Sequence, residues 1–299
     1  MSKGFKNFIT LLKTAFKQWW TKDPFKESAV IAYYAIFSLP GLLVLILTFA
    51  GYFFGRDAVN GQIAGQITST MGAETAKQIQ DIIIKATESK NSVWATIMGV
   101  ITILVGATGV FVEFQKSLNF IWEVKVDETK SGILSVLKVR LFSFGLIIAI
   151  AFILIASLII SAGLTALSTW VTNHFSESLL ILLQFVNSIL SLGILTVLFA
   201  LMFKFFPDAK IKWMHVWIGS FVTAVLFEMG KFALGLYFGK ANPGSGYGAA
   251  GSIILIMLWV SYSSMIVFYG AEFTNAYAKM RDGTVPPDDN AIKKKQPKT

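Results

Sequence analysis

Polarity along this chain comes in long blocks. Stretches free of Asp, Glu, Lys and Arg, and long enough to cross about 30 Å of hydrocarbon at about 1.5 Å per helical residue, fall at 28–55, 91–112, 141–169, 178–203 and 249–271. A sixth block, 214–238, is broken by charge only at Glu228 and Lys231. The pattern predicts an all-α, polytopic membrane protein with six transmembrane helices.

The segments between the blocks have patterns of their own. In 1–27, Phe5, Phe8, Ile9, Leu11, Leu12, Ala15, Phe16, Trp19 and Trp20 fall on one half of a helical wheel, with Lys3, Lys6, Lys13 and Lys17 on the other. This reads as an interfacial amphipathic helix whose lysines meet an anionic lipid surface; a regulatory docking helix is the alternative. Asp23 and Pro24 then turn the chain toward the first span. Residues 56–90 alternate apolar positions at helical spacing, Ile63, Ile67 and Met71, then Ile79, Ile82, Ile83 and Ala86, with Gly72 between them. Two short helices forming an external cap are expected there. Residues 113–140 form a cytoplasmic link with a second amphipathic piece at Ile133, Leu134 and Leu137. The tail 278–299, with Pro286, Pro287, Asp288, Asp289 and Lys293 to Lys295, reads as disordered. The domain plan is therefore 1–27, a membrane domain over 28–277, and the tail.

Composition agrees with the pattern, and the charges add an orientation. Only 14% of the 299 residues are charged and 55% are hydrophobic, whereas a soluble chain carries about 25% charged residues. Of 26 Lys and Arg, six lie in 1–27, five in 113–140, three in 203–213 and six after 272. Cations gather on the cytoplasmic side, so 20 of the 26 fall inside when both termini are cytoplasmic. The net charge of +9 is thereby an address rather than a nucleic-acid footprint. With no cysteine and two histidines, His174 and His215, thiolate metal sites, disulfides and a cysteine nucleophile are excluded. No metal, cofactor or nucleic-acid partner is expected.

Glu228 and Lys231 are the most informative polar residues. Ionisable groups within a span cost about 2.5–3.5 kcal/mol each on insertion scales and face a bundle interior or a wet cavity. Three residues apart, they share a face and neutralise each other, about 22 and 27 Å along the helix from Trp213. They are a structural ion pair or a substrate site. Pro40, after Ser38 and Leu39, kinks or opens the first span. Glu113 and Glu272 end the second and sixth spans; Glu272, between Gly270–Ala271 and Thr274–Asn275, is the better site candidate of the two. Gly246, Tyr247, Gly248 and Gly251 spell a formal G-x-G-x-x-G, but a dinucleotide site needs a preceding strand, and here an external loop joins two helices. The cytoplasmic segments offer Glu113, Glu123, Asp127, Glu128 and Asp208, none in a His-rich or regular ligand spacing; a nuclease would rest on Glu123, Asp127 and Asp208.

Several short motifs together resemble the YihY/virulence factor BrkB family of bacterial inner-membrane proteins. They are Ala32, Tyr33, Ser38, Leu39 and Pro40; Asn119 and Trp122; Phe206, Pro207, Asp208, Trp213 and Gly219; Glu228, Lys231, Phe232 and Tyr237; and Tyr247, Gly248, Trp259, Gly270, Ala271 and Glu272. The resemblance implies six spans in the inner membrane and a link to envelope lipid traffic. It also brings a historical ribonuclease BN label, regarded as a misassignment. Many relatives have Arg where this chain has Lys212 or Met214, and a bulkier residue at Gly41. The leading expectation is a non-enzymatic protein that binds or moves a lipid-like, amphipathic substrate through a cavity between helices. Its candidate contacts are Glu228, Lys231, Tyr33, Ser38, Pro40, Tyr262 and Glu272, with Gly246, Tyr247 and Gly248 in the external loop. A non-transporting envelope scaffold is the alternative, and a ribonuclease the remote third.

Overall fold

The computed structural model describes residues 3–38, 109–127, 177–241 and 243–294, together with Gly65, Thr68, Lys77 and Gln80. Pro40, the third block, nearly all of the second and most of the 56–90 cap lie outside the described residues; the four described residues of the cap are helical. The protein is mostly helical. Helix α1 spans Lys3–Thr21, α2 covers residues 24–38, α3 covers 109–121, α4 spans Glu177–Phe205, α5 Trp213–Ala241 and α6 Gly251–Asp282. Among the described residues, three helices are long and apolar enough to cross a membrane, within Phe185–Phe205, Trp213–Ala241 and Ile253–Asp282.

The chain divides into two compact units. One holds residues 1–22, 116–226 and 267–299, the other 23–115 and 227–266, so α5 and α6 each contribute to both.

In the first unit α1 is packed on protein. Leu11 and Ala15 are buried with Phe273 and Ala276 of α6, Phe8 meets Phe273 edge-on at 6.2 Å, and the Tyr269 hydroxyl donates to Leu12 O at 3.3 Å. Phe16, Trp20, Lys13 and Lys17 remain exposed. The apolar half of this helix thus splits between α6 and the surface; the side chains of Lys3 and Lys6 lie outside the described set.

Two small-residue pairs set the approach of α5 and α6. A β-carbon on Gly219 would overlap Thr274, and one on Gly270 would overlap Thr223. The threonine hydroxyls return to their own helices, Thr223 to Gly219 O and Thr274 to Gly270 O, each at 2.7 Å. Glycine opposite threonine, in both directions, lets the backbones meet closely without leaving a buried hydroxyl unpaired.

The expected disordered tail is corrected by the structure. Gly283, at φ +81°, ends α6 in the left-handed conformation that glycine takes without strain, its N–H bonded to Lys279 O. Ala291–Lys293 (β2) then pairs antiparallel with Val124–Val126 (β1), in register Val124 to Lys293. Asp208, Lys210 and Asp127 complete the anchorage through backbone bonds to 286–290. The prolines and charges that suggested disorder are satisfied by an edge they find only in three dimensions; residues 295–299 lie outside the described set.

In the second unit the hydroxyls of Ser28 (α2) and Ser261 (α6) are 3.0 Å apart. A short 3-10 helix, Ser245–Ala250, joins α5 to α6. The close backbone approach there is made by Gly244 and Gly251, while Gly246 has open space beside it and Tyr247 is exposed. The segment before it is helix α5, so the nucleotide fingerprint has no strand to sit on.

Candidate functional site

The candidate residues fall into two groups. The first forms on α5 in the second unit. Lys231 Nζ lies 2.6 Å from Glu228 Oε2, one helical turn away, and both side chains are about one-third exposed, 35% and 31%. The other oxygen, Oε1, is buried without a hydrogen-bond partner among the described residues. Between them, Gly230 lets α6 come close: a β-carbon there would collide with Ile266 and crowd the Tyr262 ring. Lys231 and Tyr262 line one crevice with Phe227, Leu234, Trp259 and Ile266, too narrow to hold water. The structure therefore brings Glu228, Lys231 and Tyr262 together. Ser38 is buried and its hydroxyl donates to Ala35 O at 3.1 Å. Tyr33 is exposed, its ring against Tyr34 and Phe37.

The second group lies in the first unit and centres on Glu272. This carboxylate is wholly buried, with Lys22 Nζ 2.7 Å from Oε1. Lys22 also donates to Ile121 O at 3.0 Å, and Asn275 Nδ2 donates to the same carbonyl at 2.8 Å. Beside them Lys279 Nζ meets Glu123 Oε1 at 2.8 Å. Burial pushes the Glu123 carboxyl up, but its bond to Lys279 and the charges of Lys279, Lys22 and Lys293 outweigh that and hold it below 4.5. Asn119 closes a reciprocal pair with the Phe206-Pro207-Asp208 turn. Its Nδ2 donates to Asp208 Oδ2 at 2.7 Å, and its Oδ1 accepts from the Asp208 N–H at 2.8 Å. Burial leads in raising the Asp208 carboxyl above 3.8, with Asp288 adding to it and Asn119 opposing. His215, buried at the start of α5, shares Asp282 Oδ2 with Lys212 at 2.8 and 2.9 Å.

Sequence patterning singled out Glu272 and missed Lys22, whose partner is 250 positions away. A visible signal did exist for Asn275, which follows Glu272 by three residues and so shares its face. The three acids weighed for a nuclease are spread over separate contacts. Glu123 pairs with Lys279, Asp208 with Asn119, and Asp127 is buried with its N–H on Asn290 O. Among the described residues no three His, Cys, Asp or Glu are grouped to hold a metal ion.

Long apolar helices carrying a few paired internal charges define a helical membrane protein. The chain belongs to the virulence factor BrkB family, whose sequence profile matches residues 15–295. It is similar to a UPF0761 membrane protein of Saccharophagus degradans, 26% identical over 270 residues, 88% of this chain and 58% of the relative. A UPF0761 membrane protein of Tolumonas auensis is 28% identical over 62% of this chain and 58% of the relative. One of Alteromonas mediterranea is 24% identical over 82% of this chain and 79% of the relative. The chain thus spans little more than half the length of the first two relatives. No solved structure matches it.

Proposed function

We propose that this is a multi-pass protein of the bacterial inner membrane, with six spans and both termini cytoplasmic. On this reading it binds and translocates an amphipathic, lipid-like substrate past the Glu228–Lys231 pair. The observation that carries the proposal is that pair: two opposite charges within an apolar 29-residue helix, one-third exposed, with one carboxylate oxygen unpartnered. A zwitterionic or anionic headgroup exchanges with such a pair while its chains stay in hydrocarbon. Tyr262 would flank the headgroup, with Tyr33, Ser38 and Pro40 lining the path of the chains. Exposed Lys13, Lys17, Phe16 and Trp20 would set α1 at an anionic lipid surface, Lys3 and Lys6 extending the contact.

Orientation is testable without background labelling, because the chain has no cysteine. Single cysteines at Thr10, Ala73, Ala209 and Gly246 should be labelled by an impermeant maleimide in intact cells only at Ala73 and Gly246. For function, the protein is reconstituted in phosphatidylethanolamine and phosphatidylglycerol vesicles carrying a headgroup-labelled lipid. Glu228→Gln and Lys231→Met should abolish its exchange between leaflets. Undiminished exchange in folded variants refutes the site. The closed crevice at Gly230 favours the second reading, a non-transporting scaffold, and wild-type protein that neither exchanges nor retains lipid would establish it.

A further inference from the structure

The group around Glu272 is built from oxygen acceptors. Ile121 is the last residue of α3, so its carbonyl is one of the acceptors a helix leaves unpaired at its negative end, and it receives both Lys22 and Asn275. Glu272 is fully buried. Its contact with Lys22 at 2.7 Å is a charge contact off the hydrogen-bonding direction, and Oε2 has no partner among the described residues. Asn275, one turn further on the same face, is equally buried, and its Oδ1 has no donor among the described residues. The neighbouring charges, Glu123 and Lys279, pair with each other. One carboxylate and one helix-end carbonyl thus flank an ammonium group, and an amide that donates to the same carbonyl keeps its own oxygen buried and unpartnered among the described residues.

That ammonium comes from a residue between helices. Lys22 occupies the turn between α1 and α2, next to Asp23 with φ 49°, so its side chain can withdraw without either helix unwinding. If it does, a buried carboxylate is left whose charge must be met by another cation or cancelled by a proton. Hard oxygen ligands carrying a single negative charge suit an alkali ion; calcium draws on more carboxylates and six to eight oxygens. Backbone carbonyls at helix C-terminal ends are a recurrent way to hold sodium inside membrane transporters.

We propose that Glu272 and the Ile121 carbonyl, with the Asn275 amide beside them, form a binding site for a monovalent metal cation of sodium size, in which Lys22 is a tethered competitor. Sodium and the Lys22 ammonium exchange in one oxygen cage, which gives the protein a sodium-dependent contact between α1, α3 and α6. The inference does not depend on what passes Glu228.

The test uses the full chain in detergent, with sodium chloride exchanged for choline chloride at constant ionic strength. Lys22→Cys removes the tethered cation. It should bind radioactive sodium about tenfold or more tightly than the wild type, because the site is no longer occupied from within, and its Tm should rise with sodium. Aminoethyl methanethiosulfonate restores an ammonium at position 22 and should reverse both effects, whereas the neutral methyl reagent should not. Adding Glu272→Gln should remove sodium binding. If Lys22→Cys fails to fold, Lys22→Gln, which keeps a donor for Ile121, is read the same way. A Tm of Lys22→Cys that ignores sodium, or responds to pH alone, overturns the proposal; the latter would make Glu272 a proton site.

Discussion

The two ion pairs differ in the way they are made. Glu228 and Lys231 sit three residues apart on one helix, are one-third exposed and meet wherever that helix forms. Lys22 and Glu272 are 250 positions apart, the carboxylate is wholly buried, and they meet only once α1 has docked on α6. A local pair is supplied by secondary structure alone. A distant, buried pair is a product of the tertiary fold, so whatever cation meets its carboxylate is coupled to that fold. In a protein poor in charge, the same chemistry thus stands in two settings that differ in sequence separation and burial.

The largest expected effect tests the distant pair. Lys22→Met leaves Glu272 buried without its counter-charge, and breaking a buried pair from one side costs about 3–5 kcal/mol. Thermal unfolding in detergent and choline chloride should show that loss, and a Lys22→Met, Glu272→Leu double variant should recover most of it, because burying two apolar groups carries no desolvation cost. A loss below about 1 kcal/mol in the single variant would place the pair in the surface class and erase the contrast.

Next comes the helix approach that carries Glu272. Gly219→Ala puts a methyl group onto Thr274, and overpacking of this kind costs about 1–3 kcal/mol. Combined with Thr274→Gly, the cost should be less than the sum of the two single changes, the signature of direct contact in a double-mutant cycle. Strict additivity would mean the helices relax apart.

For the local pair the expectation reverses. Glu228→Gln with Lys231→Met should not destabilise the fold, because it removes both members of a pair whose charges are costly within a span, while lipid exchange is lost. A large destabilisation would make this pair structural and leave the proposed function without its anchor.

How much of this was legible in the sequence follows the same division. Helical periodicity and charge-free length place α4, α5 and α6 within a few residues of their observed starts, since those signals are local. The Glu228–Lys231 pair was legible for the same reason. The end of α6 was not: polarity rises after Ala271, yet the helix runs on to Asp282 because Glu272, Asn275 and Lys279 find partners on other elements. The β1–β2 pairing was hidden likewise, since Pro286 to Lys294 carries no strand pattern and is ordered by an edge about 165 positions away. Lys22 contributed one more cation to a count. Only contact reveals that it reaches a buried acid.

The smallest effect separates two acids of the first unit by sign. Glu123 titrates lower in the folded chain than its ordinary 4.5. Its charged form, bonded to Lys279, therefore adds stability above that value, and the contribution is lost as pH falls through the lower folded value. Asp208 titrates higher than its ordinary 3.8. Its contribution is present below 3.8 and is lost as pH rises through the raised folded value, because the half-buried carboxylate must then ionise. Thermal unfolding measured from neutral pH down into the acid range should show Glu123→Gln flattening the acid-side fall in Tm. Asp208→Asn should steepen the net fall, because the opposing contribution has gone. Equal slopes in the two variants would mean that neither acid is held as the geometry indicates. A change confined to Glu123 would assign the acid lability of this unit to the Lys279 contact, and leave the Asn119 pair neutral in the pH balance.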